Sequence, residues 1–397
     1  MRIKTIVRTG LVAVCATAIG TGAALAQTVK VGLINTYSGP MASNGDQIEK
    51  AINLFMKLGE CKLPAGVNLE IIKRDDTGIN PETAKRLAQE LIVRDKVQIL
   101  TGVVWTPNAM AMAPLATEAK VPFIIMNAGT AMITTLSPYI ARTSFTLWQS
   151  SYPMGQWASK KFKTAYIAVS DFGPGHDAQA AFTKGFTEAG GKIAGEVRMP
   201  PPTMDFAPFL QRVKDAKPEA LFVFVPAGKS ATALMKGFGD LGLDKAGIKL
   251  IGPGDITTDE ELPNMGDVPL GVITMFHYSA AGDRPANKRF VEAYQKEYGP
   301  KAWPNFISVG AWDGMQAICD VVRAQGGKVD PDKTMLLLRG WKNPNSPRGP
   351  ISIDPETRDI IQNEYMREVK KIGGQLANVE LETISAVKDP LQEYQKK

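Results

Sequence analysis

Histidine and cysteine are scarce in this chain, and their scarcity removes whole classes of chemistry. The histidines are His176 and His277, and the cysteines are Cys15, Cys61 and Cys319, with no metal-ligand spacing among them. An imidazole- or thiolate-held zinc is therefore not expected, and nothing in the sequence implies a cofactor. The G-x-S-x-G elbow of serine hydrolases does not occur. Neither Cys61 nor Cys319 has a neighbouring histidine that would activate it. An excess of one charge is also missing. There are 46 Lys and Arg against 40 Asp and Glu, and no basic run is interleaved with aromatics. Nucleic acid is thus not an expected partner. Beyond residue 26 no apolar run approaches the ~20 residues that cross a bilayer.

The first 26 residues read as a targeting signal. Arg2, Lys4 and Arg8 precede an apolar run from Leu11 to Ala24, and Ala24-Leu25-Ala26 supplies a small-x-small cleavage site. The mature chain is expected to begin at Gln27 and to be exported. Cys15 follows Val14, where a lipidation site wants a small residue, so lipidation is not expected. Processing lowers the formal charge from +6 to +3 by removing those basic residues. It leaves ample chain for two domains. An oxidising compartment permits a disulfide, but the spacing of Cys61 and Cys319 cannot assign one. Cys319 lies in a helical apolar pattern with Met315, Ile318 and Val322 and reads as a buried free thiol.

Short apolar runs alternate with amphipathic stretches, which predicts an α/β protein with parallel sheets. Strands are expected over 29–35, 69–74, 97–104 and 121–126, with helices over 46–58, 81–94 and 108–119. Asn80-Pro81 marks a helix start, and Ala84, Leu87, Ala88, Leu91 and Ile92 place one apolar stripe on that helix. A second series has strands over 165–170, 192–197, 220–225, 249–252 and 271–275. Its helices cover 176–189, 206–214 and 230–241. Each series would make a doubly wound domain. The tail differs, with helices over 287–298 and 307–324 and a hairpin around Gly373-Gly374.

Ligands of doubly wound domains sit beyond the carboxyl ends of the strands, so the strand-to-helix loops carry the information. Tyr37-Ser38-Gly39-Pro40, continuing to Asn44, could be an ordinary turn. Trp105-Thr106 ends the third strand, where a Trp more often packs than touches ligand. Ala128-Gly129-Thr130 is small enough to let backbone amides approach an anion. Asp171 to Ala178 satisfies G-x-G-x-x-[GA], but Pro174 deletes an amide a phosphate would need. Gly228-Lys229-Ser230 imitates a P-loop end without its first glycine. Asp75-Asp76 and Asp259-Glu260-Glu261 read as solvated loops rather than catalytic pairs. No enzyme is expected.

In order and spacing these segments resemble the leucine/isoleucine/valine-binding family of type I periplasmic solute-binding proteins. The resemblance spans the mature chain. It rests on Tyr37-Ser38-Gly39-Pro40, Asp75-Asp76, the helix from Pro81, Ala113-Pro114, Arg142-Thr143-Ser144, Asp171 to Gly175, and Asp205-Phe206 with Pro208. It implies two doubly wound αβα lobes joined by three crossovers, near Ala141, Phe276 and Trp341. Lobe one would be 27–140 plus 277–340, and lobe two 141–276 plus 341–397. It further implies a periplasmic, monomeric receptor whose closed form docks on the membrane permease subunits of an ABC importer.

The family's carboxylate seat matches Thr106, Ala128 and Thr130, with Asn44, Gly129 and Ala227 completing the implied contacts. Phe172 stands where many members carry a gripping Tyr. Asp255 lies near the family's ammonium-binding acid, with Gly254 as the alternative match. Trp105 and Trp148-Gln149 would border the cleft and favour an apolar or aromatic ligand. The expected ligand is a branched-chain or related amino acid, with an amine-free aromatic carboxylate or an amide as alternatives. A ligand-sensing receptor using the same clamp is the other class of function.

Overall fold

The computed structural model describes residues 27–201 and 203–395. The targeting signal expected over 1–26, with Cys15 in it, lies outside the described residues. The chain opens with β1 (Gln27–Asn35), α1 (Ala42–Lys57), β2 (Val67–Asp75), α2 (Pro81–Val93), β3 (Ile99–Gly102), α3 (Thr106–Glu118), β4 (Phe123–Ile125) and β5 (Ile140–Arg142). These strands make one parallel sheet in the order β2-β1-β3-β4-β5. Val29, Val31, Leu33 and Ile34 of β1 are buried, as a parallel strand covered on both faces requires. The Asn80 side chain accepts from the Thr83 amide and starts α2, whose Ala84, Leu87, Ala88 and Leu91 turn inward.

The second series is α4 (Leu147–Ser159), β6 (Thr164–Ser170), α5 (Gly173–Glu188), β7 (Lys192–Met199), α6 (Ala207–Ala216), β8 (Ala220–Phe224), α7 (Lys229–Asp240), β9 (Lys249–Pro253) and β10 (Ile273–Phe276). Its strands run parallel in the order β7-β6-β8-β9-β10. The tail adds α8 (Pro285–Tyr298), α9 (Phe306–Ala324), α10 (Pro331–Leu338), β11 (Lys342–Asn343), β12 (Ile351–Ile353), β13 (Ile360–Ile372), β14 (Gln375–Val387) and α11 (Pro390–Gln395). Helices α8 and α9 return to the first sheet's side: Trp312 packs edge-on against Phe55, and Tyr294 Oη donates to Gln47 at 3.1 Å. The β13–β14 hairpin pairs antiparallel onto β10, turning at Gly373 and Gly374, both with positive φ. The chain therefore passes between the sheets after β5, after β10 and after α10. This is the type I periplasmic binding fold.

Two buried arginines knot these passages. Arg142, the last residue of β5, pairs with Asp359 at 2.8 Å and donates to the carbonyls of Ala128, Thr130 and Phe145. Arg348 pairs with Asp313 at 2.9 Å and donates to the Ser144 carbonyl and to Gln362 Oε1, both at 2.8 Å. Each therefore ties together segments from different parts of the chain where it crosses between the sheets.

Several expectations are corrected. Cys61 and Cys319 form a disulfide with Cα atoms 5.4 Å apart, so Cys319 is not a free thiol. Asp76 is fully buried, accepting from Thr36 Oγ1 at 2.7 Å and Asn108 Nδ2 at 2.8 Å, where a solvated loop was expected. Helix α4 and strand β5 fill a stretch that the periodicity left blank, and the hairpin strands are longer than expected.

Candidate ligand-binding site

The carboxyl ends of the two sheets face each other across a narrow cleft, whose free volume in this structure is about 30 Å³. That is room for a water or two, so an organic ligand needs the cleft to widen. Asn44, Trp105, Thr106, Gly129, Phe172, Ala227 and Asp255 line it, all of them residues that the sequence reading singled out.

Each is delivered by a loop with a local reason. Val103 takes a left-handed backbone at φ 63°, costly for a β-branched residue, and its amide donates to the Ile34 carbonyl at 2.8 Å. That bend turns the chain from β3 toward the cleft. The Trp105 indole then donates to Thr36 Oγ1 at 2.9 Å, which locks the ring in place. Gly173 opens α5 so close to the first series that an added Cβ would stand 2.6 Å from Thr130 Oγ1. Across the cleft, Asn44 Nδ2 donates to the Ala227 carbonyl at 3.4 Å, and the Ala131 amide donates to Asp177 Oδ2 at 2.8 Å. The two series are thus in contact across the cleft.

Four helices begin at this cleft, α1, α3, α5 and α7, and none has a side-chain N-cap. Helices α4 and α9, whose first residues Leu147 and Phe306 also border the cleft, are capped by Thr146 and Asn305, as α2 and α10 are by Asn80 and Asp330. Uncapped N-termini leave first-turn amides and the positive ends of helix dipoles available to an anion. The exceptions are the amides that Pro107 and Pro174 remove from α3 and α5, and the Ala42 and Asn44 amides of α1, which donate to the Gly39 and Met41 carbonyls. The remaining walls are apolar, with five aromatic residues among them: Trp105, Phe145, Phe172, Phe224 and Phe306. Phe172 and Phe224 lie 6.0 Å apart between centroids, and Phe145 meets Phe306 edge-on at 5.3 Å.

Among the residues lining the cleft, the unpaired side-chain atoms are all acceptors. Asn44 Oδ1, Asn127 Oδ1 and Asp255 Oδ2 have no hydrogen-bond partner among the described residues. Burial pushes the Asp255 carboxyl up to about 7, against the opposing pull of Arg367. Behind the aromatic wall His277 stacks on Phe145, and burial together with Arg348 and Arg367 holds its imidazole neutral.

Four sequence-selected residues fall outside the lining. The Ala128 amide donates to the Val103 carbonyl at 3.1 Å, which uses up the donor assigned to a ligand carboxylate. Thr130 Oγ1 donates to Thr106 Oγ1 at 3.1 Å and supports that residue from behind. Gln149 is the third residue of α4, closes a capping box with Thr146 and donates to the Ile360 and Val387 carbonyls. Trp148 packs with Ala131, Ala181 and Tyr394 on the far side of the same helix start. Val104, Asn127 and Pro174, which belong to the loops that stand out in the sequence without being assigned to a ligand, also line the cleft, together with Phe145, Leu147, Phe224, Pro226, Phe306 and Ile307, which carry no sequence signal. The aromatic members sit at strand ends or helix starts, where they resemble core residues.

A sequence profile of periplasmic binding proteins matches residues 28–375. The chain belongs to the periplasmic binding protein family. Its curated relatives include a Brucella melitensis "Leu/Ile/Val-binding protein homolog 6", 43% identical over 96% of this chain and 97% of that one. A solved ABC-transporter solute-binding protein from Rhodopseudomonas palustris BisB5, in complex with 3,4-dihydroxybenzoic acid, is 51% identical. It covers 92% of this chain and 99% of its own, with a TM-score of 0.88. Another from R. palustris, in complex with 4-hydroxybenzoate, is 44% identical over 91% and 98% of the two chains, with a TM-score of 0.87. This periplasmic binding protein is thus a solute-binding protein of an ABC transporter, a class that binds and delivers small molecules and is not enzymatic.

Proposed function

We propose that this binding protein captures an aromatic carboxylate in the periplasm and delivers it to the permease subunits of an ABC importer. The observation that carries the reading is the cleft wall of five aromatic residues set among four uncapped helix starts. Aromatic faces accommodate a planar ring, and helix-start amides hold a carboxylate. The ligands of the two R. palustris proteins have the same chemistry. In this reading residues 1–26 are removed on export. Residues 27–140 plus 277–340 form one lobe and 141–276 plus 341–397 the other, and the monomer closes on its ligand between them. Thr106 and Gly129 lie where the carboxylate would sit.

A branched-chain amino acid is the competing ligand, favoured by the Asp255 carboxyl in the cleft and by the Brucella relative's name. A thermal-shift screen of residues 27–397 separates the two, because a ligand that binds only the folded form raises its midpoint by mass action. Benzoates are expected to raise it and leucine, isoleucine and valine to leave it unmoved. A shift with leucine and none with any benzoate would discard the aromatic reading.

A further inference from the structure

We propose that Asp255 reads a ring hydroxyl of the ligand, so that the site selects hydroxylated over plain benzoates. The inference rests on the aromatic-carboxylate reading and adds the residue that discriminates within that class. Asp255 sits in the short 3₁₀ turn after β9, lines the cleft, and is 5% exposed. Its Oδ2 has no partner among the described residues. Leaving such a buried oxygen unpaired is costly, and a donor on the bound ligand would relieve that cost.

The other orphan atoms narrow what that donor can be. Asn127 Nδ2 donates to the Val104 carbonyl at 2.9 Å, which orients the amide and leaves Oδ1 as a free acceptor. Asn44 Oδ1 is in the same position. A cleft whose unmet needs are acceptors suits a ligand carrying hydrogen-bond donors in addition to its carboxylate. A benzoate without hydroxyls leaves all of these oxygens desolvated and unpaired.

A phenolic hydroxyl also fits the electrostatics better than an ammonium does. It donates to a carboxyl in either protonation state, whereas an ammonium needs the ionised form that burial disfavours here. The wall is set for a ring on the same side, since the Phe224 lining belongs to β8, the neighbour of β9.

The test is calorimetric titration of residues 27–397, and of D255A and D255N, with benzoate, 4-hydroxybenzoate, 3,4-dihydroxybenzoate and leucine. The unaltered protein is expected to bind a hydroxylated benzoate about ten- to a hundredfold tighter than benzoate. D255A should erase that preference by weakening hydroxylated benzoates at least about tenfold more than benzoate, and D255N, which keeps one acceptor oxygen, should fall between. Equal affinity for hydroxylated and plain benzoates in the unaltered protein would overturn the assignment. So would D255A weakening both ligands alike. Binding of leucine with no benzoate bound would instead reject the aromatic reading itself. Circular dichroism of D255A separates a lost contact from a lost fold, and D255N provides the isosteric control.

Discussion

Asn305 Nδ2 donates to Glu260 Oε1 at 2.8 Å, while Asn305 Oδ1 caps α9 through the amides of Ile307 and Ser308. In the proposed division into lobes, this bond spans the clamp. Closure buries Glu260 against Asn305, and that burial, with Asp259 and Glu261 beside it, pushes its carboxyl up to about 8. An opened clamp rehydrates Glu260 and returns it toward the ordinary glutamate value, so closing on ligand takes up a proton. The stabilisation of the closed form is complete below the open-form pKa and is lost as pH rises through about 8. Ligand affinity should therefore fall between about pH 5 and pH 8, by at most tenfold per unit for one proton. E260Q should flatten that slope, as measured by titration across the range. An unchanged slope would remove Glu260 from the linkage.

Removing Arg348 should destabilise the whole protein rather than the site. Its guanidinium and the Asp313 carboxylate are both fully buried. R348M leaves that carboxylate without its cation and the Ser144 carbonyl without its donor. Breaking a buried pair in this way costs about 3–5 kcal/mol. Urea unfolding should report a loss of that size, and a change below about 1 kcal/mol would mean that the junction relaxes around the gap.

Reduction of the Cys61–Cys319 disulfide should lower thermal stability and leave ligand affinity alone. The bridge joins the segment after α1 to α9 and closes a sequence separation of 258 residues. Neither cysteine lines the cleft. Removing a native bridge costs about 2–5 kcal/mol. The double variant C61S/C319S should melt several degrees lower with an unchanged dissociation constant, and a weakened ligand would tie the staple to closure.

What was legible in the sequence follows from how local each signal is. β1, α2 and the β13–β14 hairpin announce themselves through an apolar run, an Asn-Pro start and a Gly-Gly turn, all within a few neighbouring residues. Helix α4 does not, because Pro153 interrupts it and bulky Trp148 and Tyr152 blur its apolar stripe. The Thr146-x-x-Gln149 capping box was a readable signal for its start. Without it, Trp148 and Gln149 read as loop residues bordering the cleft, when the helix turns them to other work. The seven cleft residues that the reading did place all lie on strand-to-helix loops, helix starts or the turn after β9, where the fold dictates the position. The disulfide, the buried Asp76 and the Phe145–Phe306 contact depend on partners far away in sequence, and no local pattern carries them.

Gly173 offers a way to prop the clamp open without touching the ligand. Its hypothetical Cβ would lie 2.6 Å from Thr130 Oγ1 and 3.2 Å from Thr106 Cγ2, across the junction between the first series and α5. The hydrogen bond between Thr130 and Thr106 resists movement of either side chain. One extra methyl should therefore be accommodated by separating the two halves rather than by local repacking. G173A should bind its ligand about tenfold more weakly or worse, a change of 1.4 kcal/mol. The melting temperature of the ligand-free protein should stay close to that of the unaltered chain, because an open clamp has room for the methyl. Small-angle scattering should show a larger radius of gyration for G173A with saturating ligand than for the unaltered protein. If instead the ligand-free variant melts several degrees lower with affinity intact, Gly173 is serving the packing of α5 and not the closing of the cleft.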